Sequence, residues 1–367
     1  MASLDEIIPD RARVPSKFVS RETDPMTSEL PRPRWLALPL VLALASCATD
    51  ATETFEHDLT AEGTPWTHDR FDDEPGKFTF AVFSDLNGGE RDGVFAVAME
   101  QLSLLRPELV MSVGDLIDGP TEDPVELSAE WDAFDERAHL VPAPVFRVGG
   151  NHDLTGQSLR DVWAERYGPL YYHFVYKDVL FLVFDTEDHT ADRMQEILVA
   201  RSAAVQAAAS GAEGVTEMEY YRMPERVTGN VSVEQSDYFR AVLADHADVR
   251  WTMLFMHKPV WLEDGDPEFV AIESALADRP YTVFNGHFHS MSHTTKNGRD
   301  YVMLGTTGGG QAGDNPMSFD HITLVTVSEH DPSIAHLRMD GILDKSGAVP
   351  GDSEDRCFQA SACVPDE

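Results

Sequence analysis

Leu109-Val110-Met111-Ser112-Val113-Gly114-Asp115-Leu116-Ile117-Asp118-Gly119 is the stretch from which the fold can be read. Residues 109–113 form an apolar run that reads as a strand, and the Gly-Asp pair after it ends the strand. Gly114 lets the backbone turn tightly, so Asp115 is displayed at the C-terminal lip of that strand, where open α/β sheets place ligand sites. Four other stretches repeat the arrangement, each after its own apolar run. In chain order they are Ser84-Asp85-Leu86-Asn87, Gly149-Gly150-Asn151-His152-Asp153, Met256-His257-Lys258-Pro259 and Asn285-Gly286-His287-Phe288-His289.

Between these stretches the pattern alternates. Residues 78–84 read as a strand, 94–105 as a helix, 109–113 as a strand, 127–139 as a helix and 145–148 as a strand, which predicts an α/β fold with a parallel or mixed sheet. Further on, 171–176 and 179–184 read as a hairpin turned at Lys177-Asp178, and 301–304, 322–327 and 335–339 as further strands.

The side chains displayed at the strand ends are carboxylates, an amide and imidazoles, with no thiolate among them. Such donors suit Zn, Mn or Fe. Two ions roughly 3.5–4 Å apart would lower the pKa of a shared water and stabilise an in-line displacement at phosphorus, with Asp115 as the natural bridging carboxylate. His152 need not bind metal. It is a candidate to donate a proton to the leaving oxygen, with Asp153 orienting and charging it. Taken singly, Asp85-Leu86-Asn87-Gly88-Gly89 is an ordinary turn signal and His257 an ordinary strand-end histidine. Gly-His-X-His is more specific, because period-two histidines on a strand share a face.

The ordered set resembles the calcineurin-like metallophosphoesterase superfamily over about 77–343. The resemblance implies a four-layer sandwich of two mixed β-sheets flanked by helices, and hydrolysis of a phosphoric ester on two divalent or trivalent metal ions. It also implies a first metal on Asp85, Asp115 and His289, a second on Asp115, Asn151, His257 and His287, and His152 as the catalytic histidine. One position departs: Asn87 stands where the family pattern has His. An amide oxygen is a weaker, neutral donor, so the first site is expected to be weaker or completed by water. That leaves a second reading open, a mononuclear or non-catalytic binding or sensing protein on the same scaffold. His293, four residues after His289, either replaces the missing imidazole or lies exposed in a turn region over 290–297.

Acidic residues number 64 against 28 basic, for a net charge of −36. That charge argues against nucleic acid or an anionic membrane surface as partner and leaves a small phosphoester as the expected substrate. With 42% hydrophobic residues in a chain of 367, a large core can be buried.

The N-terminal residues read as targeting rather than fold. Arg32-Pro33-Arg34, the apolar run 35–44 and Leu44-Ala45-Ser46-Cys47 form a basic region, a short apolar region and a small-residue cleavage site. Ten apolar residues fall short of the roughly 20 needed to span a bilayer. The segment resembles a bacterial lipoprotein signal, with Cys47 as lipid acceptor and Ala48 favouring the outer membrane. Lipid would then be the protein's only membrane attachment, outside the cytoplasm. Met26 is a better signal start than Met1, so 1–25 reads as an over-extended translation start. Residues 48–76, rich in Thr, Glu, Asp and Pro, read as a tether. With Cys47 lipidated, Cys357 and Cys363 remain as an even pair in a polar C-terminal tail, 344–367, and read as a small disulfide loop. The least family-like stretch is an insertion over about 187–231, whose Ala-rich 194–209 predicts a helix. It is either a lid or an exposed appendage, with Asp188, His189, Tyr220, Tyr221 and Arg222 as its candidates for substrate contact.

Overall fold

The computed structural model describes residues 74–119, 121–262, 265–351 and 356–363; the leader, Cys47 and residues 48–73 of the tether lie outside them. The chain begins with β1 (Phe78–Val82), α1 (Val94–Leu105), β2 (Leu109–Met111), α2 (Pro124–Ala138) and β3 (Val145–Phe146). A single turn, α3 (Asn151–Leu154), leads to α4 (Gln157–Tyr167), and a hairpin follows of β4 (Tyr172–Tyr176) and β5 (Val179–Val183). The insertion carries α5 (Ala191–Ala209) and three short 3-10 turns. After it come α6 (Val233–Asp245), β6 (Trp251–Phe255), α7 (Pro267–Ala275), β7 (Tyr281–Asn285), β8 (Ser292–Lys296), β9 (Arg299–Met303), β10 (His321–Val327) and β11 (Ser333–Arg338).

Two mixed sheets result. One runs β11-β10-β1-β2-β3, with β1, β2 and β3 parallel and β10 antiparallel to both its neighbours. The other runs β4-β5-β6-β7-β9-β8, parallel except for its two edge strands. Strand alternation explains the layers. In β5 and the residue after it, Val179, Phe181 and Val183 face the opposite sheet, where Phe181 meets Phe80 at 5.4 Å. Leu180, Leu182 and Phe184 face outward onto α6 and α7, among Phe239, Phe269 and Ile272. A strand covered on both sides loses its polar face, which is why these runs are continuously apolar. On the far side, α1, α2 and α4 cover the first sheet through Phe95, Trp131, Phe134 and Trp163. The chain is thus the expected α/β four-layer sandwich.

Local chemistry sets several boundaries. Asp123 accepts from Val125 N at 2.9 Å and Pro124 fills the first helical position, so α2 starts three residues before its apolar pattern does. Lys177 and Asp178, at φ 46° and 63°, make the two-residue turn between β4 and β5.

One expectation changes, and two features carried no sequence signal. Residues 292–296 are strand, not turn: they pair with β9 as an exposed edge strand, with no buried face to leave a periodic signal. Helix α4 had no separate signal, since only Leu159, Val162 and Trp163 of its eleven residues are buried. The C-terminal segment, read as a polar tail with a small disulfide loop, also carries a packing residue that the reading did not name. Phe358 is buried in the α1/α2 layer, and its carbonyl accepts from Asp320 N at 2.8 Å and Gln311 Nε2 at 3.2 Å. Beside it Cys357 and Cys363 are joined in a disulfide, and Arg91 Nη1 donates to the Cys357 carbonyl at 2.8 Å. Among the described residues no helix is long and apolar enough to cross a membrane.

Candidate metal centre

The five motif stretches follow β1, β2, β3, β6 and β7, all at C-terminal strand ends, three on one sheet and two on the other. Their polar side chains converge where the lips of the two sheets meet. Asp115, His257 and His287 form one group whose donor atoms lie within 4.8 Å of one another, and Asp85, Asp115 and His289 form another. Asp115 belongs to both, as a bridging carboxylate would.

In the first of these groups His257 Nε2 lies 3.1 Å from Asp115 Oδ2, 3.1 Å from Asn151 Oδ1 and 3.3 Å from His287 Nδ1. The far nitrogen of each imidazole is spoken for by backbone: His257 Nδ1 by the Val113 carbonyl at 2.8 Å, His287 Nε2 by the Arg226 carbonyl at 2.8 Å. In the other group His289 Nε2 lies 3.4 Å from Asp85 Oδ1, and its Nδ1 meets the Gly310 carbonyl at 2.5 Å. When each outer nitrogen donates to a carbonyl, the inner nitrogen is left as a lone pair directed at the other donors, the arrangement that orients metal-binding histidines.

The backbone gives way to make this possible. Asp115, His287 and His289 all have positive φ, at 56°, 80° and 51°. Each such residue costs about 1 kcal/mol or more, and persists only where its surroundings over-determine it. Two motif glycines serve space rather than torsion. A Cβ on Gly150 would stand 2.3 Å from Asp115 Oδ1, and one on Gly286 would stand 2.3 Å from Asp85 Oδ2.

Electrostatics agree with a site built for cations. Burial works to raise Asp115, yet His257 and His152 hold it well below the usual carboxylate range. Asp85 is likewise lowered against its burial, chiefly by His289. Burial opposes protonation of His257, but Asp115 and Asp85 push it up to about 9, and Asp85 raises His289 in the same way. His287 is driven down by burial and by the neighbouring His257 and Lys258. Asn87 is 2% exposed, and its Oδ1 has no hydrogen-bond partner among the described residues. A buried orphan acceptor two residues from Asp85 suits a ligand of the group formed by Asp85, Asp115 and His289 better than it suits a structural amide.

Two roles are corrected. Asp153 does not orient His152: its Oδ1 accepts from Leu116 N at 2.9 Å and Ile117 N at 3.1 Å, and its Oδ2 from Gly150 N at 2.8 Å. It therefore pins the turn that carries Asp115. His152 instead hydrogen-bonds through Nδ1 to the Asp118 carbonyl at 2.5 Å, with Nε2 4.0 Å from Asp115 Oδ2. Burial and the charge of Arg201 bring His152 down to about 4, so its imidazole is neutral at pH 7 and offers a lone pair at Nε2. An entering anion is the kind of charge that would favour the protonated, donating form. His293, for its part, is exposed on β8 and paired with Asp300 at 2.8 Å, so it does not replace the imidazole missing at Asn87.

Both groups open on a cavity of about 650 Å³ lined by Asp115, Asn151, His152, His287 and His289. The insertion forms part of its wall through Arg201, Tyr220, Tyr221 and Arg226. Of the predicted substrate contacts, Tyr220 and Tyr221 line this cavity, whereas Asp188 and His189 line a different one of about 600 Å³ and Arg222 lines neither. Sequence reasoning missed Arg201, whose one signal is that it is the sole charged residue in the Ala-rich run 197–209. It also missed the Arg226 carbonyl, since backbone groups carry no residue signature.

Comparison places this architecture among known proteins. A family model described as calcineurin-like phosphoesterase matches residues 78–291. The solved structure of PhoD superposes with a TM-score of 0.50 at 12% identity, covering 74% of this chain and 68% of that one. A dimetal phosphatase from Danio rerio superposes at 0.48 with 16% identity, covering 71% and 99%. A purple acid phosphatase from seeds of yellow lupin (Lupinus luteus) does so at 0.46 with 15% identity, covering 73% and 53%. No curated protein matches the chain by sequence.

Proposed function

The chain belongs to the calcineurin-like phosphoesterase family, and on that premise we propose that it is a metal-dependent hydrolase of phosphoric esters. The observation that carries this reading is the pair of donor groups sharing Asp115, at the floor of a cavity that also holds His152. Asp85, Asn87, Asp115 and His289 would hold one ion, and Asp115, Asn151, His257 and His287 the other, with Mn, Fe or Zn suited to the donor set. Such ions supply an activated water and neutralise charge at phosphorus. The protein's own residues do the rest. Asp153 and the backbone carbonyls hold the donors in place, and His152 carries the proton to the leaving oxygen.

The neutral amide at Asn87 supports a second reading, one tightly held ion and a binding or sensing role. Metal analysis of purified protein together with assays on an aryl phosphomonoester and an aryl phosphodiester separates the two. Turnover that disappears in Asp115→Ala and His287→Ala, with metal content falling in both, is the expected result. Wild-type turnover and metal content in either variant would overturn the ligand assignment. We further propose anchoring outside the cytoplasm by lipid on Cys47, supported by its signal-like context and consistent with the Cys357–Cys363 disulfide. Retention of Cys47→Ser in bacterial membranes would count against it.

A further inference from the structure

Arg201 is 2% exposed, and neither Nη1 nor Nη2 has a hydrogen-bond partner among the described residues. A guanidinium stays charged at any pH a protein survives, so it cannot escape burial by losing a proton. Buried charges are otherwise paired, because leaving one without a counter-charge is strongly unfavourable. The other buried cation near the site obeys that rule: Lys258 Nζ lies 2.6 Å from Glu187 Oε1. Arg201 breaks it, and does so in the wall of the cavity that holds Asp115, His152, His287 and His289.

Its mounting is firm. Helix α5 is capped by Thr190 and buries Met194, Ile197, Leu198, Ala200 and Ala204 along with Arg201. Arg193, one helix turn from Ile197, is clamped by both oxygens of Glu225 at 2.8 Å each, which ties α5 to the 3-10 segment bearing Arg226. Arg226 in turn lies over the Tyr221 ring at 4.9 Å. Helix α5 thus holds a desolvated fork of two nitrogens at the wall of the cavity, with no hydrogen-bond partner among the described residues.

We propose that Arg201 binds the terminal phosphoryl oxygens of the substrate and makes phosphomonoesters its substrate class; this rests on the reading of the site as a phosphoesterase. The fork matches two oxygens on one phosphorus. A diester has two non-bridging oxygens, which a two-metal site already needs. A monoester has three and carries the second negative charge that a lone buried guanidinium favours. The insertion is then a specificity element: ions held by the strand-end donors would neutralise charge on the phosphoryl group, and Arg201 on α5 would supply a further cation to the same cavity.

The test uses the full folded chain and the variants Arg201→Met and Arg201→Lys. Inorganic phosphate binding is measured by calorimetry in the presence of a chelator, so that no metal contributes. Wild type is expected to bind phosphate, Arg201→Met to lose about 10- to 100-fold in affinity, and Arg201→Lys to fall between, since a point charge replaces a fork. Phosphate binding that vanishes in Arg201→Met supports the anion site even if no ester is turned over, and so is independent of the hydrolytic reading. With metal restored, Arg201→Met should lose at least tenfold more kcat/KM on an aryl monoester than on an aryl diester. Thermal melting supplies the structural control: deleting an unpaired buried charge should leave Tm unchanged or raise it. Equal phosphate affinity in wild type and Arg201→Met overturns the proposal, as does an equal loss on both esters. So does a loss of binding accompanied by a lower Tm, which would assign Arg201 a structural role.

Discussion

Replacing Glu187 by Gln should destabilise the domain severely, and the size of the effect follows from the burial of one pair. Lys258 Nζ lies 2.6 Å from Glu187 Oε1, and each side chain is 1% exposed. Glu187 Oε2 also accepts from Thr155 Oγ1 at 3.1 Å, and Lys258 N donates to Thr186 Oγ1 at 3.0 Å, so the pair stitches the start of the insertion to the loop bearing His257. Glutamine keeps the volume and one acceptor but removes the charge. The Lys258 ammonium then remains in a dry interior, and breaking a buried pair from one side costs about 3–5 kcal/mol. Total stability of a domain is about 5–15 kcal/mol, so about a fifth or more of it is at stake. At about 2–4 °C per kcal/mol for a domain near this size, Tm should fall by roughly 6–20 °C. The assay is thermal melting of metal-free protein followed by circular dichroism, with the double variant Glu187→Gln/Lys258→Met alongside. Removing both charges leaves no orphan ion, and apolar replacement of buried pairs is often close to neutral, so the double variant should melt well above the single one. A single variant within about 1 °C of wild type, or a double variant no better than the single, would refute the reasoning.

Asn87→His should restore a nitrogen donor beside Asp85 and His289, so metal retained after dialysis should rise from nearer one ion per chain toward two, read by elemental analysis; no gain would show that the amide already suffices. Gly150→Ala should abolish metal retention while leaving the circular dichroism spectrum intact, because its Cβ would stand 2.3 Å from Asp115 Oδ1 and 2.8 Å from His257 Cγ. Stability should also sense His321, which burial, with His336 nearby, brings down from 6.5 to about 3. The unfolded chain then binds that proton first, so this contribution is whole above about pH 6.5 and is lost as pH falls toward 3, by up to about 1.4 kcal/mol per unit. Denaturant melts at pH 7, 6 and 5 should therefore show the gap between wild type and His321→Gln narrowing with acid; a constant gap would show that His321 is not buried neutral.

The parts of the fold legible from sequence are those whose signal is local and doubled. The central strands β1, β2, β5, β6 and β7 carry runs of apolar residues because they are covered on both faces, and each of the five runs that bear donors ends in a polar motif with few alternative uses. Edge strand β8 was missed because Ser292-His293-Thr294-Thr295-Lys296 is exposed and has no apolar period to detect. The packing of Phe358 is a contact across more than 200 residues to the α1/α2 layer, and no local pattern announces it. Within the site, the side chains that converge were legible and their supports were not. Asp153 looks like a partner for its neighbour His152 in sequence, yet the single turn of α3 sends its carboxylate back to the amides of the Asp115 loop. Arg201 was invisible for a related reason, since what singles it out is the missing partner, a property of three dimensions.

The C-terminal disulfide loop lies at one end of a relay of contacts that reaches the metal centre. The carbonyl that orients His289 belongs to Gly310, in a loop whose neighbour Gly309 is held by Arg91 Nε at 3.0 Å. Arg91 is held in turn by the Cys357 carbonyl and by both oxygens of Asp320 at 2.6 Å. The Cys357–Cys363 loop is thereby linked to His289 through Arg91, Gly309 and Gly310, so a change at residues 357–363 has a physical route to one donor of the metal centre.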